Sequence, residues 1–519
     1  MGVTLASCSL DDNINPNKAA GEGVSPELRL SGAMTTSYST LAGSMNGLGN
    51  AWTNAWSGNF AQFGNPFTTE ADLNITTTYR QSIFNDTYKA VTRFQRIIDF
   101  DHATYPNYVA IAEIQKAFYM QYMVDLYGDV PYSEAFQEVD NITPKYDKGV
   151  DVYKGLVGEL LDAKKLISTY GENPAYLVTN TSDPVFEGDM GQWEKFANTV
   201  LLKYAVRLSN TTDSEGIALK NEIISALAGA DYITENVTIN PGYNNGSAAG
   251  QNPLYYNFGR GTYDGQINTQ GYQLMTASDH AVRTLQGDAA ITSGVSDSRI
   301  EFLFTPAKQY NGTAAGGAAG YYGYPQGMGN EAYKASLGFG PDDLKPTNGN
   351  FSFLGGSFYA FPDGAYEDGY LMMLAESEFL QAEAALRGYA GFGDAQAHFQ
   401  AGIQASFEFD GQADAAADYI TAIAGKPKAG WTGSNEDKIA AIQYQRWVAL
   451  MNYNGIESYI NYLRTGYPET PLATTATQSN KPYRLLYPAN EYATNSANVP
   501  QVSQAQCFTK NEFTPFIYR

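Results

Sequence analysis

Apolar side chains recur at every third or fourth position over several long stretches of this sequence. That spacing places them on one face of an α-helix, and such a face has to pack against another element. The strongest periods run over residues 109–126, 149–168, 190–210, 369–387 and 435–453, and weaker ones over 78–101, 214–228, 271–287, 394–409 and 412–424. The pattern predicts a mainly α protein with little strand.

The predicted helices fall into two blocks, at about residues 78–229 and 369–453. Between them, residues 230–368 are rich in Gly, Asn, Tyr and Pro, and residues 466–519 form a second irregular region. A long stretch without regular structure inside a compact domain is usually functional or disordered. Alanine clusters such as residues 382–385 let neighbouring helices approach closely, which favours tetratricopeptide-like helix pairs, although the sequence contains no strict repeat.

The chain carries 54 acidic and 32 basic side chains, which gives a formal net charge of −22. Binding to nucleic acid or to anionic lipid needs a basic surface, so this charge argues against both partners. Only 17% of the residues are charged, whereas there are 39 Tyr and 51 Gly. A neutral hydrogen-bonding surface suits neutral polar ligands, and it is also common in extracytoplasmic proteins. No apolar run reaches the roughly 18 residues that a transmembrane helix needs.

The amino-terminal residues resemble a bacterial export signal. The sequence that ends in Cys8 is similar to a bacterial lipobox, and Asp11-Asp12 resembles the export signal of Bacteroidetes surface lipoproteins. The charged and apolar parts of a signal peptide are missing, which we attribute to trimming. We expect lipidation at Cys8 and a polar tether, so that residues 1–27 anchor the protein; the alternative is a stray cysteine.

The residue sets that mark common enzymes are absent from the sequence. His102, His280 and His398 lie far apart without metal-ligand spacing, and no zinc-protease, nucleophile-elbow or phosphate-loop motif occurs. Cys507 has no nearby histidine and is expected to be a buried small hydrophobe, not bridged to Cys8. We therefore predict that the protein is not an enzyme and carries no cofactor.

Two weaker catalytic or metal-binding interpretations stay open. Glu376 and Glu383 lie two turns apart on one predicted helix, so they could be the paired carboxylates of a glycosidase. Polar contacts between packed helices are the favoured explanation for this pair. The carboxylates of Asp342-Asp343, Asp363 and Glu367-Asp368 could hold a structural calcium ion through oxygen ligands, but they lack EF-hand spacing and solvated turns are favoured.

Five motifs resemble those of the SusD/RagB family of nutrient-binding lipoproteins from Bacteroidetes. In chain order they are QKA at 115–117 with LYGDVPY at 126–132; WEKFAN at 193–198 with LKYAVRLS at 202–209; AESEFLQAEAA at 375–385; QYQRWVAL at 443–450 with GIE at 455–457 and RTGYP at 464–468; and RLLYP at 484–488 with Glu491 and Asn498. Ser458 and Leu463 depart from the pattern, where relatives often carry Trp and Arg. Both departures fall in structural motifs.

This resemblance implies a SusD-like fold in which four tetratricopeptide-like helix pairs form a scaffold and a loop-rich remainder decorates it. Residues 28–519 would then form a single domain, with the insert at about 230–368 on the ligand side. The protein would lie on the outer membrane as a lipid-anchored lid over a SusC-like TonB-dependent transporter. The implied ligand is an oligosaccharide, although some relatives bind peptides. The motifs themselves are scaffold residues and identify no ligand site.

Sugar binding requires flat aromatic side chains together with amides or charged groups at their edges, and loops on a rigid scaffold are where these are usually found. The first candidate stretch contains Trp52, Asn54 and Trp56, with Gln62 and Asn65 nearby. The two tryptophans are four residues apart, so one helical turn would bring them together. The alternative is that they fill the core beneath a short helix.

Two further stretches are candidates for ligand contact. Tyr321, Tyr322 and Tyr324 follow the glycine-rich run at 311–320, and they could contact a ligand, contact the transporter or simply pack. Tyr256 and Arg260 form a weaker candidate. In contrast, Trp193 and Trp447 lie on apolar helix faces and are expected in the core, whereas Trp431, flanked by glycines, could be either.

The sequence thus predicts a surface protein that binds oligosaccharides and acts with a SusC-like transporter in glycan uptake. Oligopeptide capture is the alternative binding function, a purely structural subunit is a third, and a glycosidase is a remote fourth.

Overall fold

The computed structural model describes residues 24–60, 63, 67–266, 271–307, 320–329, 332–333 and 351–519. The described chain is mainly helical with little strand, which confirms the predicted fold class. The first half contains these helices: α1 Pro26–Thr40, α2 Asn46–Trp52, α3 Thr68–Asp72, α4 Ser82–Ile98, α5 Pro106–Tyr127, α6 Gly149–Tyr170, α7 Met190–Arg207 and α8 Ser214–Ala226. A π-helical turn, Leu41–Met45, joins α1 to α2.

The second half contains the following helices: α9 Pro253–Phe258, α10 Asp279–Leu285, α11 Ile300–Leu303, α12 Leu374–Leu386, α13 Ala395–Phe409, α14 Ala416–Ile423, α15 Asn435–Leu450, α16 Gly455–Thr465, α17 Ala489–Thr494 and α18 Gln504–Cys507. The described residues contain four short strands, β1 Trp56–Gly58, β2 Val237–Ile239, β3 Met275–Ala277 and β4 Gly369–Met372. They form two antiparallel pairs, with Trp56 opposite Ala277 in β1–β3 and Val237 opposite Met372 in β2–β4.

Local sequence signals explain where the main helices begin and end. Asp189 caps α7 by accepting a hydrogen bond from the backbone of Gln192 at 3.0 Å. Ser434 and Asp437 form a reciprocal capping box at the start of α15. Gly128 ends α5 with a φ of +80°, a backbone conformation that glycine adopts without strain.

The structure corrects five predicted boundaries. Helices α1 and α2 precede the predicted first block, and α1 includes the last two residues of the predicted tether. The segment 369–387 begins as strand β4, and the segment 271–287 contains strand β3 before α10. Helix α16 lies beyond the predicted second block. In the two mixed segments the apolar residues lie close together, and an apolar run fits a buried strand as well as a helix.

Most helices pack around one large apolar core, which includes Leu30 near the start of α1 and Tyr518 near the end of the chain. A second, smaller apolar cluster lies among α12, α13, α14 and α15 and includes Phe379, Phe399 and Phe407. Helix α5 runs through it with every residue buried. Its most extensive packing is against α6, and α12 packs in the same way against α13. Such consecutive pairs agree with a helical scaffold, while their tetratricopeptide-like geometry stays a prediction. A smaller aromatic cluster lies in the loop-rich region and contains Tyr272, Tyr324, Tyr333, Phe351 and Phe353.

Candidate functional site

The family-like motifs meet in a buried network of charged side chains. Glu457 lies at its centre and accepts hydrogen bonds from the Tyr122 hydroxyl at 2.7 Å and the Arg207 guanidinium at 2.7 Å. Lys203 and Arg446 reach the same carboxylate at 3.1 and 3.2 Å. Because Tyr122, Lys203 and Arg207 lie on α5 and α7 and Arg446 lies on α15, the network around this carboxylate joins the first helical block to the second.

Glu376 and Glu383 belong to the same network and are structural. Glu376 lies 2.9 Å from Lys203 and 2.5 Å from Arg446. Glu383 receives two hydrogen bonds from Arg464, at 2.5 and 2.7 Å, and one from Arg387 at 2.8 Å. Burial alone would raise the pKa of Glu383, but the two arginines lower it to about 2. Both carboxylates are completely buried, so this pair does not act on a polysaccharide.

The first predicted sugar-binding stretch lies in the core. Trp52 and Trp56 are 2% and 0% exposed, and Asn54 is 4% exposed, so none of them offers a surface to a ligand. The Trp56 indole donates a hydrogen bond to the Asn452 side chain at 2.6 Å, and the Asn54 amide donates one to the carbonyl of Pro471 at 3.1 Å. The prediction of an aromatic platform here is wrong, because these side chains attach the amino-terminal helices to the rest of the fold.

The second stretch is divided between core and surface. Tyr324 is fully buried, and its ring lies 4.3 Å from that of Tyr333, so its predicted ligand contact is also wrong. Tyr321 and Tyr322 are half-buried beside it, which leaves their predicted role open. Trp193, Trp447 and Cys507 are buried, as the sequence predicted.

Several predicted positions lie outside the described residues. They are Cys8, Gln62, Asn65, the glycine-rich residues 311–319 and Asp342-Asp343. Asp363 and Asp368 are described and lie in turns near α9, where the carboxylate of Asp368 accepts a hydrogen bond from Asn240 at 2.8 Å. Within the described part of the chain, no three His, Cys, Asp or Glu side chains are grouped as a metal site.

The third stretch lies on the surface, and it is part of a larger aromatic patch. Among the described residues, the aromatic side chains that are largely exposed are Tyr256, Tyr263, Phe361 and Tyr366, each 44–54% exposed. They come from two segments, and the Arg260 side chain in the first of these segments is also exposed. We call these five residues the Tyr256 surface. It contains two of the eight predicted ligand residues, Tyr256 and Arg260.

Backbone contacts hold the two segments of the Tyr256 surface together. The Arg260 amide donates a hydrogen bond to the carbonyl of Tyr359 at 3.4 Å. A Cβ on Gly261 would lie only 2.0 Å from the Phe361 ring, so that ring packs directly on the glycine backbone. Any larger residue at 261 would displace Phe361 from the patch.

A groove of about 470 Å³ opens beside Tyr256 and Tyr263. Its lining is neutral apart from one carboxylate, and it consists of Ala248, Gln251, Tyr256, Asn257, Gly261, Thr262, Tyr263, Asp264, Gln266 and Gly271. Asp264 accepts a hydrogen bond from the Thr262 hydroxyl, which lowers the pKa of its carboxyl group. Aromatic rings beside amide, hydroxyl and carboxylate groups can hold a ligand that presents C–H faces and hydroxyl edges.

Three residues of the Tyr256 surface were missed by the sequence reasoning. Tyr263 and Phe361 each precede an Asp-Gly turn, in Tyr263-Asp264-Gly265 and Phe361-Pro362-Asp363-Gly364. Such turns lie at the surface, so a large aromatic residue next to one is a usable signal for exposure. Tyr366 follows the second turn closely.

Comparison with known proteins identifies the protein family to which this fold belongs. A family model for SusD-like proteins, described as "Starch-binding associating with outer membrane", matches residues 26–488. No curated protein sequence matches the chain. The mainly helical scaffold with its loop-rich face is thus that of an outer-membrane-associated class of binding proteins. The chain belongs to the SusD-like family.

Solved structures share this fold at low sequence identity. A chitin-binding SusD homologue from Flavobacterium johnsoniae is 20% identical, with 90% of this chain and 94% of that chain covered and a TM-score of 0.69. A SusD homologue from Bacteroides fragilis is 21% identical, with 92% and 95% covered and a TM-score of 0.70. A second SusD homologue from Bacteroides fragilis is 21% identical, with 95% and 98% covered and a TM-score of 0.69.

Family membership agrees with two further predictions in their general form. SusD-like proteins are binding proteins, which fits the prediction that this chain is not an enzyme. They are also associated with the outer membrane. Of the helices described, none combines the length and the apolar character needed to span a bilayer.

Proposed function

We propose that this protein captures oligosaccharides at the cell surface and passes them to a SusC-like TonB-dependent transporter in the outer membrane. The observation that carries the proposal is the Tyr256 surface, where the exposed aromatic side chains of the described chain are concentrated beside a neutral polar groove. The family description names starch, and one homologue of the same fold is a chitin-binding protein. Both are neutral polysaccharides, which suits this lining.

Calorimetric titration with maltooligosaccharides and chitooligosaccharides tests the proposal. We expect one series to bind, and we expect Tyr256→Ala and Tyr263→Ala each to weaken binding about tenfold, because each removes one aromatic contact worth roughly 1.4 kcal/mol. Tyr176→Ala, which removes a partly exposed tyrosine outside the Tyr256 surface, serves as the matched control and should bind like the wild type. Wild-type affinity in both Tyr256→Ala and Tyr263→Ala would rule out this surface as the site.

The same titration with a mixed-peptide library separates the two binding functions. Peptide recognition relies mainly on groups that pair with an extended backbone, whereas the Tyr256 surface presents rings. Saturable binding of peptides without binding of any glycan would replace the oligosaccharide proposal by oligopeptide capture.

The partner and the anchor need separate experiments. Affinity purification of this protein from its native membrane should recover a TonB-dependent transporter, and recovery of the protein alone would contradict the partnership. Replacement of Cys8 by alanine should release the protein from the outer membrane, because the proposed acyl chains would have no attachment point. Retention of the Cys8→Ala variant on the membrane would contradict lipidation there.

A further inference from the structure

A second cavity, which we call the Lys220 pocket, shares no lining residue with the groove of the Tyr256 surface. It has a volume of about 430 Å³, and its lining comes from α8, from the ends of α12 and α16 and from the start of α15. Lys220 and Arg387 in this lining are half-buried and Asn435 is exposed, so these side chains can be reached from solvent. Sites for small ligands occupy about 300–1,000 Å³, so the pocket has room for one.

Lys220 brings an unpaired positive charge to the pocket. Within the described chain, its ammonium group forms no ion pair and no hydrogen bond. Burial and, to a smaller extent, the positive charge of Arg387 lower the pKa of Lys220. The neighbouring charge that acts on Lys220 therefore has the same sign, and the two cationic side chains repel each other across the pocket.

Arg387 contributes a second positive charge that is only partly compensated. Its Nε donates a hydrogen bond to Glu383 at 2.8 Å, while Arg464 donates to both oxygens of the same carboxylate at 2.5 and 2.7 Å. One carboxylate thus serves two guanidinium groups. The Nη1 and Nη2 groups of Arg387 have no acceptor among the described residues, and the side chain is 21% exposed.

The acidic side chain of the lining does not neutralise Lys220. Glu436 is exposed and its carboxylate is hydrogen-bonded to the Tyr467 side chain, whose pKa is raised by burial and then by this carboxylate. The charge of Glu436 does not contribute to the lowered pKa of Lys220. The pocket therefore keeps positive charge that the described chain leaves without a partner.

The helix ends at the pocket also leave Lys220 without an acceptor. The carbonyl groups at a helix C-terminus attract cations, so they offer another explanation for a lysine in this place. Their partners in this structure are different groups, because Asn210 donates to the Arg464 carbonyl at 2.8 Å and the Tyr389 amide donates to the Ala384 carbonyl at 3.0 Å.

We propose that the Lys220 pocket binds a phosphate group, either as inorganic phosphate or as a phosphate monoester. The Lys220 ammonium and the free edge of the Arg387 guanidinium donate charge-assisted hydrogen bonds to its oxygens, and the Asn435 amide adds a neutral donor. A phosphate monoester has a charge of about −1.5 to −2 at pH 7, which matches two cationic side chains better than the single charge of a phosphodiester does.

The acidic character of the whole chain does not prevent such binding. The formal net charge is −22, but most of these charges act over a distance. Solvent-exposed charges are screened beyond a Debye length of about 8 Å at physiological ionic strength, so the two cations that contact the ligand dominate.

Calorimetric titration in a phosphate-free chloride buffer of constant ionic strength tests the proposal. Inorganic phosphate and phenyl phosphate should bind saturably, whereas dimethyl phosphate, which has the single charge of a lipid phosphodiester, should bind more weakly. Lys220→Gln should weaken the binding of inorganic phosphate at least about tenfold, the loss expected for one hydrogen bond to a charged group.

A stability measurement shows whether Lys220→Gln is correctly folded. Without phosphate, this variant should unfold at or above the wild-type temperature, because it removes the repulsion between Lys220 and Arg387. Saturating phosphate should raise the unfolding temperature of the wild type and have little effect on the variant, since a ligand stabilises the folded state to which it binds.

Two controls separate this site from general charge effects and from the Tyr256 surface. Lys164→Gln removes a half-buried lysine of α6 whose pKa is also lowered by burial, and it should bind phosphate like the wild type. Tyr256→Ala should also leave phosphate binding unchanged, so failure at one site is distinguishable from failure at the other. Absence of saturable phosphate binding, wild-type affinity in Lys220→Gln, an equal loss in Lys164→Gln, or equally tight binding of dimethyl phosphate would overturn the proposal.

Discussion

At the scale of single residues, the feature with a large desolvation cost is a set of charged side chains that have no contact with water. Glu376, Lys203 and Glu457 are all fully buried, and each has a partner of opposite charge within 3.1 Å. Desolvation of such groups is so costly that burial contributes stability only when the pairing is nearly complete. Removal of one partner leaves an uncompensated charge and typically costs about 3–5 kcal/mol. The family-like motifs are therefore best explained as positions that fix how the helices meet.

The pH dependence of stability provides a test of this network. The folded-state pKa of Glu383 is about 2, against an ordinary value of 4.5. A carboxyl group with a lowered pKa contributes stability above its unfolded-state value and loses it as the pH falls toward the folded-state value. We expect Glu383 to contribute about 3 kcal/mol at neutral pH, and this contribution should disappear between about pH 4.5 and 2.

Urea unfolding across that pH range measures the effect. In Glu383→Gln, the part of the acid-induced destabilisation that comes from this group should be missing, and stability at neutral pH should be lower because Arg464 and Arg387 lose their shared carboxylate. Glu408→Gln is the matched control, since Glu408 is exposed and its carboxylate accepts a hydrogen bond from the Gln404 amide at 2.9 Å, and this variant should keep the wild-type pH profile. Equal acid dependence in Glu383→Gln and the wild type would contradict the assignment.

At the scale of secondary-structure elements, α2 and the start of α16 approach each other very closely. A Cβ on Gly49 would lie 2.0 Å from the backbone of Gly455, and one on Gly455 would lie 2.4 Å from the backbone of Asn50. The Asn46 side chain completes the junction by accepting a hydrogen bond from the Gly455 amide at 2.8 Å. Only glycine permits this crossing, because neither backbone can move away without breaking these bonds.

This crossing predicts opposite effects for two glycine substitutions. Gly49→Ala should lower the free energy of unfolding by about 3 kcal/mol, at the upper end for overpacking, since the new methyl group meets backbone and not a flexible side chain. Gly32→Ala, in α1, has nothing within 4 Å of the added atom and should raise stability by up to about 1 kcal/mol. Chemical denaturation of both variants decides the question, and equal stability of the two would exclude the close contact.

The same elements explain how far the sequence could predict the fold. Helices α6 and α7 were predicted closely because their apolar residues keep a helical period, and Asp189 caps the start of α7. Helix α2 was missed because its glycines read as helix breakers, whereas the fold uses one of them for close packing. Whether a side chain is buried depends on residues that are distant in sequence. The local composition around Trp52 and Trp56 therefore suggested a sugar-binding platform, whereas both side chains are buried. Tyr256 and Arg260 stay predicted ligand residues, and their grouping with Phe361 is a tertiary contact that no local pattern records.

At the scale of the whole molecule, the two predicted helical blocks share one core. The main cluster of buried side chains extends from Leu30 to Tyr518 and includes residues of both blocks and of the loop-rich insert. The chain end closes the first block, because the carbonyl of Arg519 accepts a hydrogen bond from the amide of Thr212 at 2.7 Å. Among the described residues, these connections cross between the two blocks, whereas independent domains share few contacts.

We therefore expect the chain to unfold as one cooperative unit, as the prediction of a single domain over residues 28–519 requires. Tryptophan fluorescence and far-ultraviolet circular dichroism should give superimposable urea curves, because Trp193 and Trp447 report on different blocks of the same core. The calorimetric enthalpy should equal the van 't Hoff enthalpy for the same reason. Trp193→Phe and Trp447→Phe, studied separately, leave the fluorescence of one block dominant in each case. In each variant, the fluorescence midpoint is compared with the dichroism midpoint of the same variant. A difference between the two midpoints would mean that the blocks unfold independently, and that the buried carboxylates only hold one folded block against the other.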